Sequence, residues 1–281
     1  MNNQITIILL SHRSKNLVLN FIKDIHIKYK LIIIDNSNDI ELKKIIEKNY
    51  PEVVINIIEN NGYGSAINYA SKLVKTKYFL ISNPDISGLN ENEINKFLYA
   101  AKILNDNFSA LGPRFTNVNK KSHIQISKDL EIGSINSIHG SCMFINKKNY
   151  NKIGGFDNNF FLYFEETDYC KRGKNKDLKC YQINTIKVKQ EGRTVNANSK
   201  KEKKKISNLL AWHFVWSEFY FNRKHNGYLL ALISFLPILF RTIFKIFINK
   251  HLRNEKKLSK YKYRLKGLLS SIKGQKSYLR P

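Results

Sequence analysis

The chain has 281 residues, 42% of them hydrophobic and 25% charged, enough apolar material for one large domain or a domain with an appendage. That composition excludes a disordered or collagen-like polymer. The formal net charge of +26 points either to a polyanionic partner, nucleic acid or an anionic membrane surface, or to a coding bias, since 39 Lys, 36 Ile and 34 Asn make 109 of the 281 residues.

Charge separates by region. Residues 199–281 carry 20 Lys and Arg against three acids (Glu202, Glu218, Glu255), whereas residues 1–198 carry 28 against 19. A coding bias raises charge everywhere but does not by itself strip Asp from the last 83 residues. Body (1–198) and tail (199–281) are therefore read as separate domains.

In chain order, the apolar run Ile5–Leu10 comes first. Met1-Asn2-Asn3-Gln4 before it has no basic region, and a run of only six residues predicts a strand rather than a signal peptide. Further β-branched runs follow at Leu31–Ile34, Val53–Ile58 and Tyr78–Ser82. Between them lies helical spacing, as in Leu17, Phe21, Ile25 and in Ile67, Ala70, Val74. Continuous apolar strands alternating with helices predict a doubly wound, mostly parallel α/β sheet covered on both faces, with ligands at the carboxyl ends of its strands. After Pro113 the sequence turns Asn- and Lys-rich, with strands predicted at His139–Asn146 and Cys180–Val188. Between those strands an aromatic-rich turn, Gly154 to Phe164, runs into an acidic helix start at Glu165. Lys200–Lys205 opens a long helix through Arg223, and Tyr228–Ile248 is apolar but interrupted by Pro237, Arg241 and Lys245. Cys142, Cys170 and Cys180 have neither ligand spacing nor an even count, so a reducing, cytoplasmic setting is expected.

Polar residues gather at the predicted strand ends: Ser11-His12-Arg13, Asp35-Asn36-Ser37, Glu59 to Gly64, and Asn83-Pro84-Asp85. One such group is an ordinary loop cap, but four on one sheet edge read as a nucleotide site. Asp35 suits the N–H of a pyrimidine base or a ribose hydroxyl. Gly62 and Gly64, just before a helix, let backbone N–H groups approach phosphate. Asp85 and Asn83 offer hard oxygens to Mg2+ or Mn2+, although an Asn-Pro-Asp tripeptide also favours a plain turn.

Taken in order, these segments resemble the family 2 glycosyltransferases of the GT-A fold, in particular their rhamnosyltransferase-like branch. The resemblance runs from Ile5 to about Thr194. It rests on Thr6–His12, Ile32–Ser37, Asn60–Asn68, Leu80–Asp85, Gly154-Gly155-Phe156-Asp157 and Phe160–Arg172. It implies a GT-A catalytic domain that transfers a sugar, with a deoxyhexose such as rhamnose as one candidate. The donor would be a nucleoside diphosphate sugar, the acceptor a hydroxyl of a polysaccharide or lipid-linked glycan, and the transfer would invert the anomeric carbon. Ser11, His12, Arg13, Asp35, Asn61, Gly64, Asn83 and Asp85 would meet the donor. Asn83 and Asp85 would stand where the DXD motif holds Mg2+ or Mn2+. His139, Gly140, Ser141 and Glu165 would line the acceptor side. Glu166 falls at the position of the catalytic base, with Asp168 as the nearby alternative. Acids at a helix start also suit its dipole, which leaves the preceding aromatics unexplained. Lys189 stands where relatives often place a His, three residues before Gly192; a protonated lysine is no metal ligand but could meet the diphosphate directly.

For the tail, only Tyr228–Phe240 is free of charge, short of the roughly 20 residues a spanning helix needs. Basic flanks with Trp212, Phe214, Trp216, Phe219, Tyr220 and Phe221 suit helices lying on an anionic bilayer. Packing on the body or on a second copy, as in a homodimer, is the alternative. The expectation is a cytoplasmic protein, peripheral at the inner face of the cell membrane, with no nucleic-acid partner. The competing class is a non-catalytic binder of RNA or anionic lipid acting through the tail.

Overall fold

The computed structural model describes residues 2–23, 25–117, 125–192 and 199–281. Two compact units divide them: Met1–Asp157 with Glu166–Asn196, and Asn158–Glu165 with Ala197–Pro281. The aromatic segment before Glu165 thus groups with the tail helices, not with the body to which the sequence boundary at residue 198 assigned it.

In the first unit the elements run β1 (Asn2–Ser11), α1 (Lys15–Ile22), β2 (Tyr29–Asp35), α2 (Ile40–Asn49), β3 (Val54–Ile57), α3 (Tyr63–Leu73), β4 (Tyr78–Ser82), β5 (Ile86–Ser87) and α4 (Glu91–Ile103). They continue with β6 (Leu111–Phe115), β7 (Ile132–Ile135), β8 (Cys142–Asn146), α5 (Lys147–Ile153), α6 (Glu165–Lys174, whose first residue groups with the second unit) and β9 (Cys180–Gln190). Among the described residues, nine strands form one sheet in the order β3-β2-β1-β4-β8-β6-β9-β5, with β7 also on β9. The half from β3 to β4 is parallel, whereas β8 runs antiparallel to both β4 and β6. Successive side chains of a strand point to opposite faces. Ile5, Ile7 and Leu9 of β1 accordingly pack with α1, α2 and α4, while Ile8 packs with α3, α5 and α6. That two-sided burial is why β1 reads as an unbroken apolar run. Strand order reverses across β1, with β2 on one side and β4 on the other, so a crevice opens at their carboxyl ends. Register sets Ser11 opposite Asp35 and Leu9 opposite Ser82, which brings the predicted site segments to that edge.

The second unit contains α7 (Lys200–Asn226), α8 (Tyr228–His251) and α9 (Glu255–Ile272). Val215, Phe219, Ala231, Phe235 and Leu268 form its core. Gly267 permits close approach of α9 to α7, because a Cβ there would lie 2.4 Å from the Trp212 carbonyl oxygen. The 158–165 segment packs on α7: Phe160 meets Tyr220, Phe161 stacks on His213, Tyr163 and Phe164 meet Phe214, and Ser217 Oγ donates to Leu162 O at 2.8 Å. The aromatics that the resemblance placed beside the catalytic acids therefore have a packing role. Pro237 lies inside α8 without ending it.

Candidate active site

The loops after β1, β2 and β3 are joined by side-chain hydrogen bonds. Asp35, fully buried at the end of β2, accepts from the Ser37 and Asp39 backbone N–H groups through Oδ1, at 2.9 and 3.0 Å, and from Ser37 Oγ through Oδ2 at 2.9 Å. Its first task is to hold the β2–α2 turn; a carboxylate has about four acceptor directions, so Oδ2 retains capacity for a ligand. His12 Nδ1 donates to Asn36 Oδ1 at 2.8 Å, and Asn36 Nδ2 donates to Asn60 Oδ1 at 3.2 Å, which also accepts from Gly62 N. Arg13, exposed and at φ +54°, donates its backbone N–H to Ser37 Oγ. Ser11 is buried, its Oγ 3.2 Å from Ser14 Oγ. Asn61 stands outside this network, exposed and donating to Glu59. The sequence analysis named Asn36 and Asn60 within the strand-end segments but gave neither a role of its own; the structure makes them the links between the three loops.

Gly62, at φ +102°, turns the chain into α3, which starts without a side-chain cap. Gly64 lies inside the first turn of α3 and is buried there, rather than preceding the helix as expected. An uncapped first turn directs backbone N–H groups outward and suits an anionic group.

At the end of β4, Ile86 N donates to Asn83 O at 3.2 Å and closes a turn, and Asn83 N donates to Ser141 O at 2.8 Å. Asp85 is 3% exposed. Its Oδ2 accepts from Gln190 Nε2 at 3.2 Å, and its Oδ1 has no hydrogen-bond partner among the described residues. Burial pushes its carboxyl above the ordinary value. Among the described residues no group of three His, Cys, Asp or Glu is assembled to hold a metal. One buried hard oxygen is nevertheless what Mg2+ or Mn2+ takes from a protein when substrate phosphates and water complete its octahedron, so Asp85 fits such an ion. Lys189 is exposed; its neighbour Gln190 is the residue that reaches Asp85. Arg193 and Thr194 lie outside the described residues.

The acceptor-side segment precedes β8. His139 Nδ1 and Ser141 Oγ share a hydrogen bond of 2.6 Å, and Gly140 O accepts from the Tyr63 hydroxyl. A Cβ built on Gly140 would lie 3.8 Å from Glu166 Cδ and 3.7 Å from Tyr63 Cε1, so α3, the 139–141 loop and α6 converge on that glycine. Burial pushes the Glu166 carboxyl up to about 7, against the partial opposition of a backbone hydrogen bond. Asp168 is fully buried and ion-paired to Arg172 at 2.7 Å. Arg172 also donates to Ile153 O at 2.8 Å and Gly155 O at 2.6 Å. Glu165 is buried at the head of α6.

A sheet whose order reverses at β1, with a buried aspartate turn after β4 and a carboxylate on α6 facing Gly140, has the architecture of the GT-A fold. No family model matches the chain. Among curated proteins it is 23% identical over 207 residues to the low-salt glycan biosynthesis hexosyltransferase Agl10 of Haloferax volcanii, a match covering 66% of this chain and 66% of that protein, just under two thirds of its length. Among solved structures it resembles the mannosyltransferase PcManGT from Pyrobaculum calidifontis, in complex with GDP-Man and Mn2+, at a TM-score of 0.60 and 14% identity, over 96% of this chain and 87% of that one. It also resembles S. aureus TarS 1-349 in complex with UDP-GlcNAc, at a TM-score of 0.51 and 13% identity, over 99% and 93% of the two chains.

Proposed function

We propose that the protein is an inverting, family 2 type hexosyltransferase of cell-surface glycan synthesis. Its donor is a nucleoside diphosphate hexose or deoxyhexose, its acceptor a hydroxyl of a polysaccharide or lipid-linked glycan, and residues 1–198 carry the chemistry. The observation that carries this reading is the convergence of α3, the 139–141 loop and α6 on Gly140, which sets the Glu166 carboxyl beside the His139–Ser141 segment; desolvation holds that carboxyl above its ordinary value. A general base works best with a pKa near the working pH. Glu166 takes the acceptor proton as the acceptor oxygen bonds to the anomeric carbon and the bond from that carbon to the diphosphate oxygen breaks on the opposite face. His139 and Ser141 orient the acceptor, and the first turn of α3 meets the diphosphate. Asp85 Oδ1 would hold the divalent cation, which when bound supplies positive charge against the departing diphosphate. The cytoplasmic face of the membrane is the proposed site of action. Purified protein incubated with UDP, GDP and dTDP sugars, with and without Mn2+, tests the reading: binding and turnover of at least one donor is expected, and no binding of any donor overturns it.

A further inference from the structure

Helix α8 has two unlike faces. Ala231 and Phe235 pack with Val215, Phe219 and Leu268 in the unit's core. Leu229, Ile233, Leu236, Phe240, Phe244 and Phe247 recur every three or four residues and so share another face. All six are exposed, Phe240 to 66% and Phe247 to 70%. The uncharged stretch Tyr228–Phe240 is short for a span, but α8 as a whole runs 24 residues and by length and composition could cross a membrane; only 17% of its apolar stretch is buried, unlike the core helix of a soluble protein.

Along one flank of the exposed face, Arg241 and Lys245 stand one turn apart. With Thr242, Tyr261 and Arg264 they line a cavity of about 230 Å3. The Arg264 guanidinium is steadied over the Phe214 ring, 5.7 Å from its centroid. Among the described residues no ion pair engages these three cations. The acid whose field Arg264 and Arg241 reach is Glu218, a single carboxylate on α7, so the cavity keeps an excess of positive charge.

We propose that this cavity between α8 and α9 binds the phosphate headgroup of an anionic membrane lipid, while the Leu229 to Phe247 face of α8 lies in the adjoining acyl boundary. Two features must be covered together, and each rules out a simpler occupant. A soluble phosphate would neutralise the cations but leave six large side chains in water. An apolar protein partner would cover those side chains but leave the cations unmatched. A phosphate-bearing lipid supplies charge and hydrocarbon in the same geometry, and it complements a segment with 20 Lys and Arg against three acids. Arg241 and Lys245 in the body of the helix favour a helix lying along the bilayer over one crossing it. The proposal deepens the membrane-surface reading above and is independent of sugar transfer.

Co-sedimentation of the full chain with phosphatidylcholine vesicles, with and without phosphatidylglycerol, tests it. The wild-type protein is expected to bind the anionic vesicles at least about tenfold more tightly than the neutral ones. Arg241→Gln/Lys245→Gln/Arg264→Gln should lose at least about tenfold more of that binding than the charge-matched Lys201→Gln/Lys203→Gln/Lys204→Gln. The double variant Arg241→Gln/Lys245→Gln spares the Arg264 packing and is expected to show most of the loss. If wild type ignores anionic vesicles, the membrane-surface reading itself falls. Equal losses from the two triple variants overturn the cavity alone. Displacement from vesicles by millimolar inorganic phosphate assigns the cavity to a soluble anion, and retention of the triple variant on vesicles in molar salt assigns α8 to a span; either overturns the proposal. Donor turnover, followed in parallel, reports separately on the glycosyltransferase reading.

Discussion

Asp168 Oδ2 holds Arg172 Nε at 2.7 Å, one turn along α6, and the same guanidinium ties down the Ile153 and Gly155 carbonyls. The pair divides labour among the acids at the head of α6: Asp168 positions an arginine clamp, and Glu166 faces Gly140. Glu166→Gln is therefore expected to cut turnover by about 10² to 10⁴ with donor affinity unchanged, as for removal of a general base. Asp168→Asn should instead destabilise the fold by about 2 kcal/mol, because it removes the buried charge that holds the half-buried Arg172 guanidinium. Turnover kinetics and urea unfolding of both variants separate the roles. A folded but dead Asp168→Asn beside an active Glu166→Gln would reverse the assignment.

The raised pKa of Glu166 sets a pH dependence for both activity and stability. Only the carboxylate can accept a proton, so turnover is expected to climb as pH rises through about 7. For stability the sign is opposite. The folded-state value lies above the ordinary 4.5, so between 4.5 and about 7 the folded chain holds a proton the unfolded chain has released, and stability falls as pH rises across that window. Glu166→Gln should remove both effects. A wild-type rate profile flat from pH 5 to 8, measured with a saturating donor, would dismiss Glu166 as the base.

Asp85 Oδ1 carries the metal prediction. Asp85→Ala is expected to weaken Mn2+-dependent binding of UDP or GDP by about a hundredfold, and Gln190→Ala, which orients the same carboxylate through Oδ2, by about tenfold. Lys189→Ala, at an exposed position beside that pair, should change Mn2+ dependence little. Titration calorimetry with and without Mn2+ checks all three. Undiminished Mn2+ dependence in Asp85→Ala would remove Asp85 as the ligand.

How much of this was legible follows from which forces are local. Strands β1, β2 and β4 are buried on both faces, so each is an apolar run readable without context, and the polar residues at their ends were found with them. Strand β6 was missed because it contains Gly112 and Pro113; the ladder to β9 accommodates them with a register shift between Pro113 and Arg114. Helix α9 hides behind its lysines, since it buries few apolar residues, Leu258 and Leu268 among them. At the site, the choice between Asn60 and Asn61 turns on loop conformation, which neighbouring residue types do not encode. The aromatics at 160–164 were read as part of the chemistry because their partners on α7 lie some 50 residues away in sequence.

Asn68 offers a test of how α3 supports the site. From that helix its Nδ2 donates to Phe156 O at 2.8 Å, and its Oδ1 accepts from Phe156 N at 2.9 Å and from the Tyr150 hydroxyl at 2.5 Å. Gly155 stands beside it at φ +66°, and a Cβ there would fall 2.7 Å from Asn68 Oδ1. Asn68→Ala strands the backbone groups of Phe156 and is expected to cost about 3 kcal/mol of stability. Gly155→Ala meets two penalties: about 1 kcal/mol for a positive φ, and the collision with Oδ1. Only the second depends on Asn68. Gly155→Ala should therefore cost less in the Asn68→Ala background than in the wild type, a non-additivity that urea unfolding of the four proteins measures directly. Strictly additive costs would mean that Asn68 and Gly155 do not constrain each other, and that Arg172 alone holds this loop.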